Sequence, residues 1–109
     1  MATMIIHVAE VVIEALELDK ALYDIIELSG RCFPEDNPAY KIHRHGSDDE
    51  IILIFFDDRV TIECNVLAAD MCEVGHLVSH IEYQNPNAIT EVIRIIRELA
   101  PYLGSGKCP

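Results

Sequence analysis

The chain has no tryptophan and few basic residues: 8 Lys and Arg stand against 19 Asp and Glu, a net charge of −11 over 109 residues. Contacts that neutralise phosphates need a basic surface, so direct binding of DNA or RNA is not expected. No apolar run approaches the ~20 residues of a membrane-spanning helix, and no membrane contact is expected. Neither C-x-x-C nor a zinc-finger spacing occurs among Cys32, Cys64, Cys72 and Cys108, which argues against a treble-clef or ribbon site. G-x-G-x-x-G, a Walker-type glycine loop and G-x-S-x-G are all missing, so nucleotide cofactors and hydrolase elbows lack support, and no cofactor is expected. Gly104-Ser105-Gly106-Lys107 resembles a phosphate loop only superficially, because no helix follows to hold an anion.

What is present describes one globular domain. Half of the residues are apolar and a quarter are charged, too hydrophobic for intrinsic disorder and too short for a second core. The domain is expected over residues 1–103, with 104–109 as a flexible small-residue tail. The first residues lack the basic n-region of a secretory signal, and the cysteines are irregularly spaced. A cytoplasmic protein with reduced thiols is the expectation.

Between Met4 and Leu28 the polar residues His7, Glu10, Glu14, Glu17, Asp24 and Glu27 recur at intervals of three, four and seven, which predicts one helix, or two with a bend near Asp19, ending at Ser29-Gly30. The β-branched run Val11-Val12-Ile13 leaves a short N-terminal strand as the lesser alternative. Tyr40–His45 alternates with period two and reads as a polar edge strand. Ile51–Phe56 and Val60–Cys64, separated by Asp57-Asp58-Arg59, read as a hairpin with a three- to five-residue loop, because no Gly or Asn supplies a primed turn. Residues 67–75 are ambiguous, 76–83 alternate as a further strand, and Asn85-Pro86-Asn87 opens a last helix with Ile89, Val92, Ile93, Ile96, Leu99 and Ala100 on its buried side. The predicted class is α+β: an antiparallel sheet of three to four strands flanked by a long N-terminal and a C-terminal helix. The Ile51–Phe56 run does not alternate, so either the helices cover both faces of the sheet or Ile52, Ile54 and Phe56 meet another subunit, with a homodimer expected.

Residues 1–58 hold 13 acids and 4 bases, residues 59–109 only 6 acids and 4 bases. On a single helix Glu10, Glu14, Glu17, Asp24 and Glu27 would form a stripe ~25 Å long, either a solvated face or a docking surface for a basic partner. The leading functional expectation is a small acidic interaction module without enzymatic activity. Its size and charge resemble those of stoichiometric inhibitors encoded by phages and mobile elements, the anti-CRISPR type among them, which occupy the basic surface of a nucleic-acid-binding complex. Two alternatives stand beside it: a metal- or small-ligand-binding domain, and a small subunit of an obligate complex whose Ile51–Phe56 run is covered by a different protein. For the former, His43 and His45 share a strand face, although Lys41 beside them repels a cation, and Cys72, His76 and His80 would align on a helix. His-Leu-Val-Ser-His lacks the glutamate of a zinc protease. Among the thiols only Cys32, beside Arg31, has a neighbour that would lower its pKa, while Cys64 reads as core. Asp48-Asp49 and Asp57-Asp58 read as solvated turn residues.

Overall fold

A computed structural model describes residues 2–28, 37–67 and 74–106. Helix α1 (Ala2–Leu16) is followed by five strands, β1 (Tyr23–Glu27), β2 (Ala39–Arg44), β3 (Glu50–Phe55), β4 (Arg59–Leu67) and β5 (Val74–Glu82), and then by α2 (Ala88–Leu99) with a 3₁₀ turn at Ala100–Tyr102. The strands form one antiparallel meander in the order β1-β2-β3-β4-β5. The α+β class therefore holds, with five strands in place of three or four and a shorter first helix.

The difference lies at Glu17. This residue takes φ +47, the left-handed conformation that closes a helix. The Asp19 carboxylate then accepts the Ala21 N–H at 2.9 Å and its carbonyl accepts those of Leu22 and Tyr23 at 3.0 and 2.9 Å. That tight turn reverses the chain, and Tyr23–Glu27 pairs with Arg44–Tyr40 as an edge strand. The polar intervals of three and seven continue past Asp19, but Tyr23, Ile25 and Ile26 favour a strand and this segment finds a ladder, which outweighs weak helical periodicity. The helix expected over Met4–Leu28 is thus a helix, a turn and a strand, and the expected stop at Ser29-Gly30 lies outside the described residues. With β1 on its outer side, β2 is internal to the sheet and not at its edge. Val11-Val12-Ile13 stays helical because Val12 is buried against the sheet.

Both helices lie on one face of the sheet. Ala9, Val12 and Leu16 of α1 and Val92, Ile96 and Leu99 of α2 pack with Ile42, Ile51, Leu53, Phe55, Val60, Ile62 and Ile81 in a single core. The residues alternating with these in β3 and β4, among them Ile52, Ile54, Thr61 and Glu63, are only partly buried and face away from the helices. The hairpin reads as expected: Phe56-Asp57-Asp58 connects β3 and β4, Phe56 N–H donates to the Arg59 carbonyl at 2.7 Å, and neither aspartate has positive φ. β5 begins at Val74, two residues earlier than expected, and residues 68–73 lie outside the described residues. In α2 the expected stripe needs one exchange, since Ile89 is exposed and Ala88 takes its inward position.

Two contacts tie α2 and the residues after it to the rest of the fold. Arg97 of α2 donates from Nε and Nη2 to the carbonyls of Leu16 and Ala15, both at 3.3 Å, supplying donors to the open C-terminus of α1. Asp49, the buried charged residue of the β2–β3 turn, accepts the Gly104 N–H at 2.7 Å. Gly104 has φ +74, the conformation that favours glycine, and a Cβ there would sit a tight 3.1 Å from Arg44 Cγ. The first residue of the expected tail is therefore anchored; residues 107–109 lie outside the described residues.

Candidate functional site: an acidic groove beside the edge strand

Because the chain reverses at Asp19, β1 runs back alongside α1 and leaves a groove of about 620 Å³ between them. Its floor is apolar, from Ile13, Leu18, Tyr23, Ile25 and Tyr40, and its rim carries Glu14, Glu17, Asp24 and Glu27 with Lys20 as the one cation of the lining. The single helical stripe inferred from sequence does not exist: Glu10 and Glu14 belong to α1, Glu17 follows it, and Asp24 and Glu27 come from β1. Four of the five nevertheless converge on one concavity, and the fifth is close. Burial pushes the Tyr40 hydroxyl pKa up, and the charges of Glu27 and Glu10 push it in the same direction. Of the acids, Glu17 has a distant contact with Arg97, 3.9 Å from Nη2 to Oε2 with both side chains exposed.

The groove also borders free backbone. Leu28 N–H donates to the Ala39 carbonyl and His45 N–H to the Leu22 carbonyl. Alternation along an antiparallel ladder therefore turns the Ile25 and Glu27 peptide groups outward, and among the described residues β1 pairs only with β2. Strand edge, apolar floor and acidic rim thus coincide.

Asp24 also meets two histidines. His45 Nδ1 lies 3.1 Å from the Ala21 carbonyl, and its Nε2 lies 2.9 Å from Asp24 Oδ1. Both partners are acceptors, an arrangement satisfied in full only by the doubly protonated imidazolium. The hydrogen bond to Asp24 raises the His45 pKa above 6.5, and the same bond lowers that of Asp24 below 3.8. His43 Nδ1 stands 3.8 Å from Asp24 Oδ2, too far for a hydrogen bond, and is buried without a partner. The two imidazoles are 6.2 Å apart and nearly perpendicular.

These residues do not add up to a metal centre. Among the described residues no group of three His, Cys, Asp or Glu side chains is placed to hold a metal ion. The helical alignment of Cys72, His76 and His80 is corrected: His76 and His80 lie in strand β5, where four residues span ~13 Å and not one helical turn, and Cys72 lies outside the described residues. Cys64 is fully buried, and burial, followed by the charge of Asp49, pushes its pKa up to about 11, as befits a core residue. Cys32 and Cys108 lie outside the described residues.

At the opposite end of the sheet Asp57, Asp58, Glu82, Tyr83 and Gln84 line a second concavity of about 550 Å³. Burial, and then Asp58 and Asp57, push the Tyr83 pKa up to about 12, while Asp58 is engaged by Arg59 at 3.1 Å. Ile52, Ile54 and Phe56 occupy the helix-free face of the sheet. Sequence reasoning missed the groove floor, above all Tyr23 and Tyr40; the detectable signal was the strand-favouring Tyr23, Ile25 and Ile26 after Asp19.

No helix among the described residues is long and apolar enough to cross a membrane. Comparison of the chain with protein-family models, with curated proteins and with solved structures finds no match.

Proposed function

We propose that the chain is a protein-interaction module whose α1–β1 groove receives a basic, extended segment of a partner, from a surface that otherwise holds nucleic acid. The observation that carries this reading is the convergence of Glu14, Glu17, Asp24 and Glu27 on one apolar-floored groove beside an open strand edge. An extended segment can pair with the outward peptide groups of Ile25 and Glu27 while its lysines and arginines meet the rim. Carboxylates seated on such a surface compete with phosphates, so the module acts as a stoichiometric inhibitor of its partner.

Binding of a labelled Lys/Arg-rich peptide of ~10 residues, read by fluorescence anisotropy, tests this. At 0.5–1 kcal/mol per reversed charge, the Glu14→Lys, Glu17→Lys, Glu27→Lys variant is expected to lose roughly 10- to 100-fold in affinity. A variant with Asp48, Asp57 and Glu98 changed to lysine carries the same net charge and is expected to stay within about threefold of wild type. Equal losses in the two variants would assign the attraction to bulk charge and remove the groove from the account.

A further inference from the structure

The helix-free face of the sheet has a pattern that the groove does not explain. Register places Ile26, Lys41, Ile52, Glu63 and Val78 in one row across the five strands. Read outward from Ile52 on the central strand, the neighbours are Lys41 on one side and Glu63 on the other, and beyond them Ile26 and Val78. The next row has Ile54 at its centre, flanked by the small residues Ala39 and Thr61. The row beyond has Glu50, flanked by the polar His43 and Asn65. The Ile52 row is thus balanced about β3 across all five strands, apolar against apolar and cation against anion, and the other two rows are balanced at the strands next to β3, small against small and polar against polar.

We propose that this face is the interface of a homodimer whose two-fold axis runs along β3, between two sheets packed face to face. Such an axis stacks β3 on β3 of the second copy, β2 on β4 and β1 on β5. It sets Ile52 on Ile52, Ile54 on Ile54, Ile26 on Val78 and Lys41 on Glu63, the last two contacts occurring twice by symmetry. Aligned packing at about −30° keeps the central strands in contact and separates only the corners.

Charge and exposure agree with this occupant. Among the described residues, the face carries the acids Asp24, Glu50, Glu63 and Glu82 against the bases Lys41 and Arg59, a small share of a chain charge of −11. Glu14, Glu17 and Glu27 of the groove lie away from this face, which keeps their charges apart when two copies meet. Val78 is 57% exposed, and Ile26, Ile52, Ile54 and Phe56 are each partly exposed. Five strands at ~4.8 Å spacing and about six residues per strand make a slab of roughly 24 by 20 Å. With side-chain relief that is of the order of the ~800 Å² per partner of a standard interface. Among the described residues, the one like-charge contact of this arrangement is Glu50 against Glu50 at one end of the axis. A partner of one charge sign would leave half of the Lys41–Glu63 pattern opposed, which favours a second copy over a different protein.

Sedimentation equilibrium of the purified chain is the test. Wild type is expected to be a dimer, and a monomer at roughly 1 mM, where even weak association registers, overturns the proposal. Lys41→Glu makes positions 41 and 63 both acidic, and Glu63→Lys makes both basic. Each variant alone is expected to dimerise about tenfold or more weakly, the equimolar mixture to form a heterodimer, and the Lys41→Glu, Glu63→Lys double variant to regain the dimer. Variants that remain dimeric alone, or that are folded by circular dichroism and fail to combine when mixed, contradict the geometry. Glu50→Gln supplies an independent check that needs no disruptive change: it is expected to tighten the dimer several-fold, and an unchanged or weakened dimer counts against the axis.

Discussion

Asp24 occupies a position where three elements meet: it sits in β1, lines the groove, and holds His45 at the end of β2. The pair has a defined pH window. His45 is raised above 6.5, so its contribution is complete below that value and is lost as pH rises through the folded pKa. Asp24 is lowered below 3.8, so its contribution is complete above that value and is lost as pH falls through the folded pKa. The two together stabilise most between 3.8 and 6.5. The difference in thermal midpoint between wild type and His45→Gln is therefore expected to be largest in that interval and to shrink at higher pH. A difference that stays constant up to alkaline pH would mean that His45 acts through packing and its neutral contact with Ala21, not through the ion pair.

The α1–β1 connection is the element on which the groove depends. Without the left-handed Glu17 and the Asp19 turn, residues 23–27 would not run back along α1, and the groove would have no second wall. A non-glycine residue at positive φ costs ~1 kcal/mol or more, and glycine regains part of that against its larger unfolded-state entropy. Glu17→Gly is thus expected to stabilise the protein by roughly 0.5–1 kcal/mol, a rise of about 2–6 °C in thermal midpoint by calorimetry. A fall in the midpoint would indicate that Glu17 contributes contacts outweighing its backbone strain. The same connection separates what was legible in the sequence from what was not. Helix α2, β4 and β5 carry a period of 3.6 or two between turn residues and β3 is marked by its unbroken apolar run, and each forms within a few residues of where the sequence places it. Residues 17–28 satisfy both periods, and only the ladder with β2, a contact between positions far apart in the chain, decides for strand. The five acids were legible as a cluster, but the shape that gathers four of them is tertiary. His43 and His45 were legible as neighbours; the nearby Asp24 carboxylate was not, because the polar intervals place Asp24 on a helix.

On the scale of the molecule the two layers divide the surface. The helix layer and the edge of β1 carry the acidic groove, while among the described residues the opposite face of the sheet mixes apolar side chains with acids and with the bases Lys41 and Arg59. The net charge of −11 attracts any polycation over a Debye length of ~8 Å at physiological ionic strength, so affinity and salt dependence alone do not identify a site. Location does. The measurement that tests the groove most directly is amide chemical-shift mapping of the isotope-labelled protein during titration with a Lys/Arg-rich peptide. Perturbations confined to residues 13–18 and 23–27, with loss of solvent exchange at the Ile25 and Glu27 amides, are the expected result. Perturbations spread evenly over exposed acids, or centred on Asp57, Asp58 and Glu82 at the other end of the sheet, would contradict it.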